Sequence, residues 1–306
     1  MCGGGNLMKA AVLEEVGKLR LKDVPVPQPK NNEVLIKVRV CGICGTDIKL
    51  YKGDYTANVP VILGHEFSGE IVEVGKEIKD LKIGDRVVVD PNEPCGKCYW
   101  CRSGKSTFCK NMPAYGVLSN GAFAEYIVVG EKGTYKIPDA LDYEKASFCE
   151  PVSCAIHGID RAMIKPGETV TIIGGGQMGQ ILLQLAKNAG ASKLIMITRS
   201  QWKLDLAKSF GATHLISAKK ENVTESIMDI TNGLGCDVVI EAVGSPRTVE
   251  QAFNLAKKSG RVVIFGFSPE KEKATFVPFT LLSKELSILG SWVNPYTFSR
   301  AIEIIA

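Results

Sequence analysis

Hydrophobic positions follow two different patterns in the two halves of the chain. Up to about residue 151 they form short runs separated by glycine and proline. The run at 34–40 (VLIKVRV) alternates as a half-buried strand does, and further strands are predicted at 70–74 and Arg86–Val89. This β-rich, glycine-studded half predicts a compact barrel-like or sandwich-like domain.

From about residue 152, predicted strands alternate with predicted helices. Strands are expected at 168–173, Lys193–Thr198, His214–Ser217, Cys236–Glu241, 261–265 and 286–290, and helices at 178–188 and 202–210. Six strands interleaved with helices predict an α/β fold with a doubly wound parallel sheet of the Rossmann type.

Length and composition narrow the class of protein. A chain of 306 residues is long for a single hydrophobic core, so two domains are expected. The net charge of +4 is mild and unclustered, so we expect neither a nucleic-acid nor a membrane partner. Apolar runs stay shorter than the roughly 18 residues of a membrane-spanning helix, and the first residues lack the layout of a signal peptide.

Four of the ten cysteines are spaced for a metal ion. Cys95, Cys98 and Cys101 follow the pattern C-x2-C-x2-C, and Cys109 comes shortly after. This spacing is too tight for several disulfides, whereas four thiolates make a closed tetrahedral site with no room for substrate. The alternative is a redox or free-thiol loop. With no secretion signal, a reducing cytoplasm is the expected compartment.

A second set of metal-ligand residue types is scattered along the chain. Cys44 precedes the phrase Gly64-His65-Glu66, and Glu150 follows in CEPVSC. A thiolate, an imidazole and a carboxylate are the ligands that a catalytic Zn²⁺ takes when one position stays open for substrate. A lone cysteine and a lone histidine are also common core residues, so the pair alone proves little.

The motif GGGQMG follows a predicted strand. It contains Gly174, Gly176 and Gly179, with Gln177 and Met178 between the last two. A helix is predicted to begin within it. In this context such a turn brings the pyrophosphate of a dinucleotide to the helix N-terminus. The alternative is an incidental glycine-rich turn.

With these three passages in this order, the chain resembles the zinc-dependent medium-chain alcohol dehydrogenases, within them the polyol (sorbitol-like) and threonine dehydrogenase branch. The resemblance implies a GroES-like catalytic domain over 8–151, a Rossmann domain over 152–290, and a return to the catalytic domain over 291–306. Residues 1–7 are expected to lie outside the fold. The chain also stops roughly one helix and one strand earlier than the family usually does, as a fragment would.

The resemblance implies two Zn²⁺ per chain. Cys44, His65 and Glu66 are the expected ligands of a catalytic zinc, with Glu150 as a ligand or exchange partner. The four-cysteine cluster is expected to hold a structural zinc. Cys41, which forms a C-x-x-C pair with Cys44, is interpreted as a buried thiol.

The residues that follow Cys44 match further family positions. Asp47 matches the carboxylate that orients the zinc-bound imidazole, although a helix N-cap is the alternative. Thr46 occupies the position that relays the proton of the alcohol, whose pKa a Lewis-acidic zinc lowers. Lys49 stands where many members carry a histidine, so water could end the relay, or Lys49 could contact the cofactor or an anionic substrate. A solvated surface lysine is the alternative.

The end of the second Rossmann strand bears on cofactor choice. NAD-specific members carry an aspartate there, whereas this chain reads Thr198-Arg199-Ser200. With no carboxylate to repel it, a 2′-phosphate could be bound by Arg199 and the hydroxyl groups, assisted by Lys203. We therefore expect NADP(H) to be favoured over NAD(H), with a non-selective enzyme as the alternative.

The expected function is a cytoplasmic enzyme that transfers hydride between NAD(P)(H) and a secondary alcohol or ketone, on a polyol, sugar alcohol or related derivative. An L-threonine or butanediol dehydrogenase and a non-enzymatic redox sensor are the alternatives. The segment 290–296 (GSWVNPY) looks like that of galactitol-phosphate dehydrogenases. Sorbitol dehydrogenases carry Arg-Tyr where this chain has Ser291-Trp292, which argues against plain sorbitol. A homodimer or homotetramer is expected, with 286–290 as a dimer edge.

Overall fold

The structure is a computed structural model that describes residues 6–306 and divides into two compact units. One unit runs up to Ser153 and includes Asn294–Ala306, and the other is Cys154–Val293. Residues 1–5 of the expected leader lie outside the described residues. Leu7, which the sequence assigns to that leader, already belongs to the first strand.

The first unit consists of strands joined by turns and short helices. Its strands are β1 (Leu7–Glu15), β2 (Lys18–Pro25), β3 (Glu33–Gly42), β4 (Val61–Ile62), β5 (Glu66–Val74), β6 (Arg86–Val89), β7 (Tyr126–Gly130) and β8 (Thr134–Lys136). Its helices are α1 (Gly45–Lys52), α2 (Tyr99–Arg102), α3 (Tyr143–Ser147) and the start of α4 (Cys149–Ala162), with 3-10 turns at Ser106–Phe108 and Glu131–Gly133.

Two antiparallel sheets form this unit, in the strand orders β7-β3-β5-β6-β8 and β2-β1-β4. Irregularities in the pairing of β3 with β5 bend the larger sheet, because an extra residue on one strand increases its local twist. The inner face carries buried apolar side chains such as Val34, Ile36 and Phe67. The barrel-like β domain predicted from the alternating runs is confirmed as this curled antiparallel sheet.

The second unit alternates strands and helices. Its elements are β9 (Thr169–Ile173), α5 (Gln177–Asn188), β10 (Lys193–Thr198), α6 (Gln201–Ser209), β11 (His214–Ser217), α7 (Val223–Ile230), β12 (Cys236–Glu241), α8 (Pro246–Leu255), β13 (Ala256–Ile264), α9 (Pro278–Lys284) and β14 (Ser287–Gly290). A last helix, α10 (Phe298–Ile305), belongs to the first unit.

The six strands form one parallel sheet in the order β11-β10-β9-β12-β13-β14. Its central strands are apolar runs with both faces covered, so residues such as Ile172, Ile195 and Val239 are completely buried. The predicted six-stranded Rossmann sheet is therefore confirmed. The strand order reverses between β9 and β12, and a dinucleotide binds at the carboxyl ends of the strands beside such a reversal.

The last described segment is held by buried polar contacts within the first unit. The Asn294 side chain donates to Oδ1 of Asp90 (3.1 Å) and accepts from Nδ2 of Asn92 (2.9 Å). Phe298 stacks on Tyr135 with ring centroids 5.1 Å apart. None of the helices within residues 6–306 is both long and apolar enough to cross a membrane.

Candidate metal and dinucleotide sites

Cys44, His65 and Glu66 come together in the first unit. Cys44 immediately precedes α1, and His65 and Glu66 lie where β5 begins. One donor atom from each of the three residues lies within 4.8 Å of the others. Both His65 and Glu66 are buried, so the cluster is a compact thiol, imidazole and carboxylate set shielded from water.

Two glycines allow this close approach. Gly64, directly before His65, has φ +92°, and a Cβ there would lie 2.8 Å from the backbone nitrogen of Phe123 and 2.9 Å from Sγ of Cys41. A Cβ on Gly42 would run into the Glu66 carboxylate. A side chain at Gly42 would therefore displace the Glu66 carboxylate, and one at Gly64 would shift the segment that carries His65.

Asp47 faces both the helix and the imidazole. Its Oδ2 accepts a hydrogen bond from the Cys44 N–H at 2.8 Å, which satisfies a free donor at the start of α1. Its Oδ1 lies 3.5 Å from Nδ1 of His65. The N-cap residue of α1 is Cys44, so Asp47 is not the N-cap; as the third helical residue it binds the N-cap N–H with one oxygen and faces the imidazole with the other. Nε2 of His65 is left for a metal.

Groups around the His65 imidazole stabilise a positive charge at this position. Burial opposes the charged imidazole, but Asp47, Cys44 and Glu150 outweigh it and hold the pKa of His65 well above its ordinary value. Burial also raises the pKa of the Glu66 carboxyl. Among the described residues, Asp47 Oδ1 and His65 Nδ1 are buried without a good hydrogen bond. The mixed S, N and O donors, with buried polar atoms left unpaired beside them, fit Zn²⁺.

Glu150 and Thr46 lie near the cluster in different ways. Glu150, in the first turn of α4, is buried and acts on the pKa of His65, but it stands outside the group of donors within 4.8 Å found in residues 6–306. Its role as a ligand or exchange partner stays a prediction. Thr46 is partly buried in the first turn of α1, two residues after Cys44.

The four-cysteine cluster has the dimensions of a tetrahedral thiolate site. Sγ of Cys101 lies 3.5 Å from Sγ of Cys98 and 4.0 Å from that of Cys95. A tetrahedron with Zn–S bonds of about 2.3 Å has edges of about 3.8 Å. Backbone N–H groups of Lys97 and Cys98 donate to Cys95 and lower the pKa of its thiol to about 6. The arrangement fits a closed zinc site, and no disulfide joins the cysteines of the described residues.

The glycine turn has the shape that a pyrophosphate requires. Gly174 has φ +114°, and its N–H bonds to the carbonyl of Ile197 at 2.8 Å. A Cβ on Gly179 would run into the Gly174 carbonyl oxygen, so helix and turn pack closely only with glycine there. A Cβ on Gly176, which caps α5, would meet no described atom within 4 Å. The turn therefore fits a dinucleotide, with space beside the N-terminus of α5.

The end of β10 carries the residues expected at the adenosine ribose. Thr198 is buried, Ser200 directly precedes α6, and Arg199 is exposed. Within residues 6–306 the Arg199 guanidinium has no hydrogen bond or ion pair of its own. The Lys203 ammonium lies 5.3 Å from the ring centroid of Trp202. These cations are available to an anionic ligand.

Gln180 is a residue of this region that the motif did not single out. It is buried, and its Nε2 donates to the carbonyl of Lys203 at 2.9 Å and to that of Gly175 at 3.4 Å. The side chain thus joins the glycine turn to the start of α6. The sequence signal that could have indicated this role of Gln180 is a polar residue on the side of α5 that faces the core.

Comparisons with known proteins show which families the two halves of the chain match. The family profile described as alcohol dehydrogenase GroES-like domain matches residues 30–139, and that described as zinc-binding dehydrogenase matches residues 163–306. Sorbitol dehydrogenase of Bacillus subtilis (strain 168) is 36% identical over 304 residues, which cover 98% of this chain and 86% of the relative.

Two solved structures are also similar. A zinc-binding dehydrogenase from Sinorhizobium meliloti 1021 bound to NADP superposes with a TM-score of 0.95 at 42% identity, covering 98% of this chain and 89% of that one. Galactitol-1-phosphate dehydrogenase from Escherichia coli superposes with a TM-score of 0.90 at 31% identity, covering 97% and 88%.

Proposed function

Since the chain belongs to the zinc-dependent medium-chain alcohol dehydrogenases, a family of oxidoreductases, we propose that it interconverts a secondary alcohol and its ketone on a polyol or sugar derivative, using NADP(H). The observation that carries this proposal is the buried cluster of Cys44, His65 and Glu66. Its three different donors are those of a zinc site that leaves a position open to substrate.

Each bound group would have its own residues. Cys44, His65 and Glu66 would hold the catalytic zinc, with Glu150 beside them, and the four cysteines would hold a second, structural zinc. When bound, the catalytic zinc supplies a Lewis acid that lowers the pKa of an alcohol, and the cofactor supplies the hydride acceptor at C4 of nicotinamide.

The side chains around the cluster have positioning and proton-transfer roles. Asp47 fixes the ring of His65 and favours the tautomer in which Nε2 carries a free lone pair. The Thr46 hydroxyl, which can accept one proton while donating another, passes the proton of the alcohol toward solvent. Lys49 is partly buried in the same helix, one turn later, where it can meet an anionic group of substrate or cofactor.

The preference for NADP(H) rests on the end of β10. The segment 198–200 has no carboxylate, and Arg199 is exposed with its donors available in the described structure. The similar Sinorhizobium dehydrogenase was solved with NADP. A guanidinium on a 2′-phosphate forms charge-assisted hydrogen bonds worth about 1.5–3 kcal/mol.

We expect NADPH to bind more tightly than NADH in a fluorescence titration, and Arg199→Ala to weaken NADPH binding by about tenfold to a hundredfold. NADH lacks the 2′-phosphate, so its affinity should change little in the same variant. Lys208→Ala, which removes an exposed cation in the last turn of α6, is the matched control and should leave both affinities unchanged. Tighter binding of NADH by the parent protein, or an equal loss for both cofactors in Arg199→Ala, would refute the phosphate site.

The substrate class is tested by a panel of alcohols with NADP⁺. Sorbitol dehydrogenase and galactitol-1-phosphate dehydrogenase are both similar to the chain, so sugar alcohols with and without phosphate belong in the panel. Trp292, 44% exposed and tilted against Phe267, differs from the residue expected for plain sorbitol. Turnover of L-threonine or butanediol, with none of any polyol, would point to the alternative dehydrogenases.

The chain is proposed to form a homodimer or homotetramer in the cytoplasm. β14 is an edge strand, and Phe279 and Leu282 of the preceding helix are 72% and 73% exposed. An unpaired apolar edge favours pairing with a second copy about a two-fold axis. Sedimentation velocity that gives the mass of a single 33.1 kDa chain would contradict it.

A further inference from the structure

Glu241, the last residue of β12, is a completely buried carboxyl group that the proposed chemistry does not use. Its Oε1 accepts hydrogen bonds from the N–H groups of Val243 (2.8 Å) and Gly244 (2.9 Å) and from Oγ1 of Thr248 (2.8 Å). Its Oε2 is buried and has no hydrogen-bond partner in the described chain. Three donors on one oxygen, and no acceptor for a proton on the other, are the pattern of a carboxylate.

The position of Glu241 in the sheet relates it to the cofactor. β12 adjoins β9 where the strand order reverses, and a dinucleotide lies across the carboxyl ends of the strands at that point. Arg199, at the end of β10, marks the adenosine half, so the nicotinamide half falls on the side of β12. The segment after Glu241 also touches the glycine turn, because Cγ2 of Val243 lies 2.9 Å from where a Cβ of Gly174 would be.

Backbone groups next to Glu241 stabilise its charge. The N–H groups of Val243 and Gly244 point at Oε1, and in a planar trans peptide the carbonyl of the same unit points the opposite way. The negative ends of these dipoles are therefore directed away from the carboxylate. Because Glu241 has no exposed surface, solvent screens its charge only weakly.

We propose that Glu241 makes the cofactor site selective for the oxidised cofactor. NADP⁺ carries a positive charge on its nicotinamide ring, whereas the ring of NADPH is neutral. A buried negative charge behind the nicotinamide half stabilises the first relative to the second. Glu241 acts through its field and not by contact, because its burial leaves no surface for the cofactor to touch. This inference rests on the proposed dinucleotide binding.

The test is the pair of dissociation constants for NADP⁺ and NADPH in Glu241→Gln, measured by calorimetry without substrate. Glutamine keeps the size of the side chain and an oxygen to accept the three hydrogen bonds, but removes the charge. The ratio of Kd for NADP⁺ to Kd for NADPH should rise about threefold to tenfold, as expected for the loss of one partly screened unit charge.

Thr248→Val is the matched control, because it removes one donor to Oε1 and keeps the charge. Its ratio should equal that of the parent protein. Equal weakening of both cofactors in Glu241→Gln, or an unchanged ratio, overturns the proposal and leaves Glu241 with a purely structural role. Failure of the parent protein to bind either cofactor instead refutes the proposed function itself.

Should Glu241→Gln not fold, as judged by circular dichroism, Glu241→Met tests the same charge. Methionine has nearly the length of glutamate, carries no charge and leaves no buried amide without a partner. The ratio should rise in the same direction as expected for glutamine, and an unchanged ratio in this variant overturns the proposal.

Discussion

Cys44→Ser is expected to abolish turnover and to lower the zinc content from two ions per chain to one. Serine is not deprotonated near neutral pH and is a poor zinc ligand, so the cluster would keep only His65 and Glu66. Losing several kcal/mol of transition-state stabilisation lowers the rate by about a thousandfold or more. The zinc that remains should be the one held by the four cysteines, so the variant should still fold.

Cys41→Ser is the matched control for this experiment. Cys41 is close to Cys44 in sequence, but its Sγ lies 3.6 Å from the Gly42 carbonyl and is not among the three clustered donors. Both zinc ions and most of the activity should survive. Zinc is counted by atomic emission on gel-filtered protein. A fully active Cys44→Ser protein that keeps two ions would show that the catalytic metal is bound elsewhere or not at all.

Thr46→Val is expected to keep both zinc ions and NADPH affinity while losing about a hundredfold to ten-thousandfold in kcat. Valine has almost the shape of threonine but has no hydroxyl, so it can neither accept nor donate a proton. The residue lies in the first turn of α1, beside the expected ligand Cys44 but not among the donors. A loss confined to kcat would therefore identify a proton-transfer role.

The conservative variant Thr46→Ser separates proton transfer from packing. Serine restores a hydroxyl at the same position, so most of the rate should return, and the pH profile of kcat should resemble that of the parent protein. If Thr46→Val turns over normally, the relay runs through another group. If neither variant binds zinc, Thr46 supports the structure of the site instead of the chemistry.

Local motifs could be predicted from the sequence because their members are close in the chain. The spacing of Cys95, Cys98 and Cys101 limits how far apart their sulfurs can lie, and in the structure Sγ of Cys101 is 3.5 Å from that of Cys98 and 4.0 Å from that of Cys95. The same holds for the turn of Gly174 and Gly179, whose packing is decided by backbone geometry over a few residues. The roles expected for the scattered residues Cys44, His65 and Glu150 depended on family resemblance, because no local rule relates these residues.

By itself, then, the sequence determined the two fold types, the parallel sheet, the cysteine cluster and the glycine turn. Each of these depends on the periodicity or spacing of residues that are close together in the chain. Only the tertiary structure decided that Asp47 binds the N–H of Cys44 and also faces His65, and that the carboxyl group at the end of β12 is fully buried. The burial of a side chain and its contacts with other elements depend on which distant segments pack together. The residue pattern within one segment does not determine that packing.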